Sequence, residues 1–312
     1  MTRVLLDCDP GLDDALALLL VLASPELDLA GVSTVAGNQT IEKTTENALK
    51  LLELAERSDV PVAAGAARPL AGELVLADDA HGDTGLGNLV LPEPRARPVD
   101  QPAVDFLADQ LLAAAEPVTV LAVGPLTNIA LLLALRPDAA ERIGRLVLMG
   151  GAIREGNMTP SAEFNVWIDP EAAQRVFVAG LDVTMIGLDV TNRCVLTRAD
   201  AERLRRSGPI GSAAAEMLDF YLGYYEEAYA HGGAPIHDAL AVAHVLRADA
   251  LTLERRHVEI EVTGICRGRT VVDMRQRTTL PQPNAQVAVD VDAEGFRELL
   301  VSRLTSLDRP TS

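Results

Sequence analysis

Short apolar, β-branched runs alternate with longer stretches of helical periodicity through the first two-thirds of the chain. Runs at Val4–Leu6, Leu29–Val35, Val118–Val123, Leu146–Met149 and Val183–Ile186 have the length and character of buried strands. Helical patterns follow most of them. Asp13–Leu22 carries carboxylates in its first turn, where the helix dipole favours negative charge, and Thr40–Leu54 places apolar residues at Ile41, Ala48, Leu51 and Leu52. This rhythm predicts an α/β fold, a mostly parallel sheet flanked by crossover helices. Beyond Val190 the pattern turns helical at Ala201–Arg206, Ala213–Ala230 and Asp238–Val245, then strand-like at Val258–Val262, Thr270–Val272 and Gln286–Val291. A helical insertion followed by a small antiparallel β appendage near the C-terminus is expected. The Pro-rich stretch from Pro92 to Pro98 reads as a surface loop before the helix Val104–Ala114, because βα alternation resumes after it. Residues 1–312 are therefore expected to form a single domain.

Charge narrows the functions this fold can carry. With 312 residues and 48% of them hydrophobic, the chain can bury a large core, yet its formal net charge is −18. Lysine occurs only at Lys43 and Lys50. Nucleic-acid binding requires concentrated basic side chains, so a neutral or cationic ligand, or a metal ion, fits better. The cysteines, Cys8, Cys194 and Cys266, form neither a disulfide framework nor a zinc pattern. The first residues lead straight into a strand with no signal-peptide pattern, and the longest apolar run, Ala15 to Ala23, is too short to span a bilayer. A cytoplasmic protein that neither enters a membrane nor binds nucleic acid is expected.

Ligands of open α/β sheets bind beyond the carboxyl ends of the strands, and polar clusters recur there. Asp7, Asp9, Asp13 and Asp14 surround a Pro10-Gly11 turn between the first strand and its helix. Four carboxylates so close repel one another, and a divalent cation relieves that repulsion; oxygen-only ligands suit calcium or magnesium. Two aspartates alone would read as a helix cap. Gly37-Asn38 after the second strand reads by itself as a turn, and Gly124-Pro125-Leu126-Thr127-Asn128 as a helix start that leaves the Val123 carbonyl for a hard cation. The glycine-spaced loop His81 to Gly87 lacks the lysine of a phosphate-binding loop. Asn157, Glu163 and Asn165 suit a polyhydroxylated ligand or an ordinary capping loop equally. His237-Asp238 opens an apolar helix, with Asp238 as a possible cap and His237 as a core imidazole or a general acid.

In order, Asp7-Cys8-Asp9-Pro10-Gly11-Leu12-Asp13-Asp14-Ala15, Gly37-Asn38, His81-Gly82, Gly124-Pro125-Leu126-Thr127-Asn128, Gly156-Asn157 with Thr159-Pro160, Ala162-Glu163-Phe164-Asn165 and His237-Asp238-Ala239 resemble the motifs of the inosine-uridine-preferring nucleoside hydrolase family. The series runs from residue 7 to beyond residue 240. The resemblance implies a Rossmann-like fold, a tightly bound Ca2+ and hydrolysis of the N-glycosidic bond of ribonucleosides to ribose and free base. It implies that Asp9, Asp14, the Val123 carbonyl and Asp238 hold the cation, and that Asp9 also serves as general base for the attacking water. Asp13 and Asn165 would bind ribose hydroxyls, with Asn157 and Glu163 near the 5′ side and Asn38 beside the scissile bond. His237 is the implied acid for the departing base, with His81 a second imidazole near it.

On the helix before His237, Tyr224, Tyr225 and Tyr229 are spaced like packing residues, and Tyr229 matches a tyrosine of pyrimidine-preferring members. Asp7 is left with a supporting role behind the ligands. Family likeness also implies a homodimer or homotetramer. A haloacid-dehalogenase-type phosphatase shares the Asp-x-Asp after strand one but needs a later lysine and an electropositive pocket, which this sequence lacks. A non-catalytic calcium-binding protein would keep the aspartates but need neither His237 nor Asn38.

Overall fold

Strands covered by helices on both faces bury consecutive residues, and the first strand shows it. In the computed structural model, which describes residues 1–228, 232–277 and 279–308, β1 (Thr2–Cys8) is buried from Val4 through Cys8. Val4, Leu6 and Cys8 face one layer of helices, and Leu5 faces the other. The chain continues through β2 (Leu27–Thr34), β3 (Val62–Ala64), β4 (Val118–Ala122), β5 (Ile143–Met149), β6 (Val183–Ile186), β7 (Val195–Leu196), β8 (Ala234–Pro235), β9 (Leu251–Arg256), β10 (Val258–Ile260), β11 (Thr270–Val272) and β12 (Ala285–Val291). Eight of these form one sheet in the order β3-β2-β1-β4-β5-β6-β12-β9. All its neighbours run parallel except β12 and β9.

This order explains where a ligand can sit. From β1 the chain winds outward to β2 and β3, then returns to place β4 against the opposite edge of β1. The connections after β1 and after β4 therefore leave in opposite senses, and a crevice opens at the carboxyl ends of these two strands. Cys8 ends β1 and Ala122 ends β4, so Asp9 and Val123 both emerge at that crevice.

The sheet is larger than its sequence suggests. The segment Gln286–Val291, expected in the antiparallel appendage, instead lies in the main sheet. It pairs in parallel with β6 through Gln286–Thr184 and Val287–Met185. Its apolar residues are buried on both faces, Val287 in one layer and Ala288 in the other, which only an interior strand satisfies. The appendage proper is the hairpin β10–β11. The short strand β3 and the antiparallel edge strand β9 were not anticipated. Nor was the helix Ala293–Leu307, although its buried Phe296, Leu300, Val301 and Leu304 follow helical spacing.

Helices Leu12–Leu22, Pro209–Ala228, Ala239–Leu246 and Ala293–Leu307 share one core layer. Ala103–Ala113, Thr127–Leu135 and Pro170–Phe177 form the other. Among the described residues no helix is long and apolar enough to cross a membrane. Phe296 is 1% exposed within the first layer. Phe296→Ala is expected to destabilise the protein by about 3–5 kcal/mol through lost burial and a residual cavity. Urea denaturation checks this, and an unchanged midpoint would show that the last helix is not integral to the core.

Candidate active site

The Pro10-Gly11 turn folds the first helix back over the end of β1, so that Asp14 meets the backbone it has just left. Its carboxylate accepts hydrogen bonds from the Asp9 N–H at 3.0 Å and the Gly11 N–H at 3.1 Å. Asn38, following β2, secures both acids. Its N–H donates to Asp9 Oδ2 at 2.7 Å, and its Nδ2 donates to Asp14 Oδ2 at 2.8 Å and to the Asp9 carbonyl at 3.2 Å. A Cβ on Gly37 would lie 2.2 Å from Asp9 Oδ2, and one on Gly124 would lie 2.4 Å from Asp9 Oδ1. The two glycines are thus required by the close approach of backbone to carboxylate, more than by any turn.

Asp238 arrives from the far end of the sequence, at the start of the helix Ala239–Leu246. Its side chain makes no capping hydrogen bond to that helix, so of its two readings the cap is not formed. Instead, oxygens of Asp13, Asp14 and Asp238 all lie within 4.8 Å of one another. Asp9, Asp13, Asp14 and Asp238 are all buried, and no salt bridge among the described residues reaches them. Burial, then the charge of Asp14, raises the Asp13 carboxyl to about 7 and holds Asp9 well above the carboxylate range. Asp238 is pushed up by burial and by Asp13, Asp14 and Asp9.

Such a cluster is stable only with bound protons or a cation. The donors favour a hard cation. They are oxygens, and Asp9 Oδ1 is buried without a hydrogen-bond partner. The Val123 carbonyl opens on the same crevice and accepts from Asn165 Nδ2 at 2.8 Å, which leaves its second lone pair. Nearby Cys8 is no competitor. Its thiol turns to the Ser33 carbonyl, and burial with the surrounding acids keeps it protonated.

Asp7 lies beneath this cluster. It accepts from Ser33 Oγ at 2.5 Å and Asn128 Nδ2 at 2.8 Å, and burial raises it to about 6. Asn128 also donates to the Thr34 carbonyl and accepts from the Ala66 N–H, tying together the ends of β1, β2 and β3. Its part was hidden in a segment that reads as a helix start.

One cleft collects the remaining residues. Asp13, Asn38, His81, Asn157, Glu163, Asn165, His237 and Asp238 line it, together with Val123. On one wall Glu163 caps the helix Phe164–Ile168, accepting from Asn165 N–H, Val166 N–H and Gly151 N–H. Capping and pocket lining, which the sequence leaves as alternatives, are both present. Asn157 Oδ1 accepts from Phe164 N–H on the exposed rim.

The opposite wall is aromatic. Tyr221 lies 5.7 Å from His81 and 5.0 Å, edge-on, from Tyr225, and Tyr224 packs edge-on against Tyr225. Tyr221 was missed, although it stands four residues before Tyr225 and so shares its helix face. Tyr229 lies outside the described residues. His81 Nδ1 accepts from Leu12 N–H at 3.0 Å, which leaves any ring proton on Nε2. Burial, then the charge of His237, lowers His81 to about 3. His237 Nδ1 meets Thr191 Oγ1 at 2.7 Å, and its Nε2 meets the Tyr225 hydroxyl at 3.3 Å. Burial lowers His237 to about 4, so both rings are neutral near pH 7. The Thr191 partner came from a segment without any sequence signal.

Comparison with known proteins bears on this arrangement. Residues 4–298 match the model of the inosine-uridine preferring nucleoside hydrolase family. A pyrimidine-specific ribonucleoside hydrolase of Salmonella arizonae is 49% identical over 304 residues, covering 96% of this chain and 97% of that protein. Among solved structures, a purine-preferring ribonucleoside hydrolase from Gardnerella vaginalis superimposes with a TM-score of 0.93 at 35% identity, covering 98% of this chain and 99% of that one. A plant nucleoside hydrolase superimposes at 0.91 with 36% identity, over 98% and 99%. With a matching model over nearly its whole length and these relatives, the chain belongs to the inosine-uridine preferring nucleoside hydrolase family and is a ribonucleoside-hydrolysing enzyme.

Proposed function

We propose that the enzyme is calcium-dependent and that water attacks the anomeric carbon of a ribonucleoside through an oxocarbenium-like transition state. The observation that carries this reading is the meeting of Asp13, Asp14 and Asp238 oxygens, with Asp9 bonded alongside through Asp14 and Asn38, all buried and without a basic partner among the described residues, next to a cleft that Asp13, Asp238, Asn38 and Asn165 line. Asp9, Asp14, Asp238 and the Val123 carbonyl would hold the ion; Asp13, within reach of Asp14 and Asp238, would bind the ribose beside it. When bound there, the cation supplies Lewis acidity and a template for the ribose 2′ and 3′ hydroxyls.

The side chains supply the rest. Asp9, with Oδ2 held by Asn38 and Oδ1 unpartnered, takes the proton of the attacking water. Asp13 and Asn165 orient ribose hydroxyls, and Asn157 and Glu163 close on the 5′ side. As the base departs, positive charge grows on the sugar, and the surrounding carboxylates and amide oxygens stabilise it. Asn38 lies at this centre, with its Nδ2 committed to Asp14 and the Asp9 carbonyl. His237, paired with Thr191 and Tyr225 at the aromatic wall, would pass to the leaving base a proton that its neutral ring first takes up, and His81 would contact that base.

Pyrimidine ribonucleosides are the first substrates indicated, because the relative sharing 49% identity is named pyrimidine-specific; the structure at 35% is named purine-preferring. We further infer one domain over residues 1–312, a homodimer or homotetramer, and a cytoplasmic role in nucleoside catabolism and salvage. Free Cys8, Cys194 and Cys266 agree with a reducing compartment. Ribose release from uridine, cytidine, inosine and p-nitrophenyl riboside, with and without chelator, tests the reading. No release from any of them would overturn it.

Asp9→Asn is expected to lower kcat by about 10²–10⁴-fold with the thermal midpoint retained, as for loss of a general base. Near-wild-type turnover would remove Asp9 from that role. For His237→Ala, uridine turnover should fall much further than turnover of p-nitrophenyl riboside, whose leaving group needs no proton. Equal losses on the two substrates would exclude His237 as the acid.

The raised carboxyls also set a pH dependence. Asp13 rises from 3.8 to about 7 on folding, so the native cation-free protein binds more protons than the unfolded chain across that interval. Chelated protein should therefore lose stability as pH rises from about 4 to about 7. Because a cation takes the place of those protons, calcium should raise the thermal midpoint more at pH 8 than at pH 5. Equal midpoint shifts at the two pH values would contradict this linkage.

A further inference from the structure

The hairpin β10–β11 contributes no residue to the cleft, yet it grips the segment that does. Thr270, at the start of β11, is 1% exposed. Its hydroxyl donates to the Ala152 carbonyl at 2.6 Å and accepts from the Ala152 N–H at 2.8 Å. One side chain thus satisfies both backbone groups of a residue in the loop after β5, where neither sheet nor helix would. The preceding residue, Gly151, has φ +72, and a Cβ there would lie 2.5 Å from Thr270 Cγ2, so the methyl packs directly on this turn. Gly151 N–H in turn donates to Glu163 Oε2 at 2.8 Å. The hairpin makes a second attachment nearby. Arg267 donates to the Trp167 carbonyl at 3.3 Å and pairs with Glu171 at 2.8 Å, beyond the other end of the helix that Glu163 caps.

The geometry points to Thr270 as a positioning residue for the sugar-binding wall: through Ala152 and Gly151 it sets the orientation of the Glu163 carboxylate. The inference rests on the reading of Glu163 as a ligand for the 5′ side of ribose. A threonine is suited to the task because its hydroxyl both donates and accepts, while its methyl fills the space over Gly151. Valine keeps the shape and loses both hydrogen bonds; serine keeps the hydroxyl.

Steady-state kinetics of the calcium-loaded enzyme on uridine and 5′-deoxyuridine test this in Thr270→Val, Thr270→Ser, Glu163→Gln and the double variant Thr270→Val/Glu163→Gln. Thr270→Val is expected to raise KM for uridine about tenfold with a smaller change in kcat, and to reduce the preference for uridine over 5′-deoxyuridine by about the same factor, as a misplaced contact does. Thr270→Ser should restore most of that preference, and the double variant should be no worse than Glu163→Gln alone. If Thr270→Val keeps the wild-type preference while Glu163→Gln loses it, or if the two losses multiply, the positioning role is overturned and the reading of Glu163 stands. If Glu163→Gln itself keeps the preference, the reading of Glu163 falls and the inference with it. Should Thr270→Val fail to fold, Arg267→Ala loosens the same hairpin from its half-buried attachment, and an unchanged preference there overturns the proposal.

Discussion

Mutual repulsion among buried carboxylates is the constraint on which the site is built. Asp9, Asp13, Asp14 and Asp238 are placed where solvent cannot screen them; burial drives each towards its protonated form, and neighbouring carboxylates add to this for Asp9, Asp13 and Asp238. Hydrogen bonds from Asn38, Gly11 and the Asp9 backbone relieve part of this for Asp9 and Asp14. The remainder is a stored affinity for positive charge. The same property that makes the arrangement costly by itself suits it to a cation and, in the mechanism proposed above, to a sugar that becomes cationic as its base departs.

Holding that arrangement falls to the parallel sheet. Reversal of winding at β1 and β4 opens the crevice, and the stiff ends of both strands deliver Asp9 and Val123 to it. Gly37 and Gly124 let the neighbouring backbone close on Asp9. Beneath, Asn128 couples Asp7, Thr34 and Ala66, so three adjacent strand ends share one amide. This network is internal and polar, and its hydrogen bonds fix the spacing of the loops above it, although Asp7 Oδ2 is buried without a partner.

The two walls of the cleft are supported differently. The wall that carries Glu163 and Asn165 is pinned by backbone groups: Glu163 accepts from three N–H groups and Asn165 reaches the Val123 carbonyl, so these side chains are oriented before any ligand arrives. The aromatic side relies on packing, with Tyr221 and Tyr225 edge to face and His237 held between Thr191 and Tyr225. A pinned polar wall beside a packed aromatic wall agrees with the proposed division of ribose and base between them.

The sequence by itself determined the α/β class, the Asp7–Asp14 cluster and the ordered motifs that resemble one family, because these depend on local periodicity and on residues close in the chain. Short-range signals could not place Gln286–Val291 in the main sheet, since its partner β6 is a hundred residues away and strand neighbours leave no local mark. The same distance hid the approach of Asp13 to Asp238, Thr191 behind His237 and Thr270 behind Ala152, while only the family resemblance, and no local signal, joined Asp238 to Asp14. Only the tertiary structure decided these pairings. A hydrogen bond between remote segments is set by how helices and strands pack, and that packing follows from the burial of the whole apolar pattern rather than from any one stretch of it.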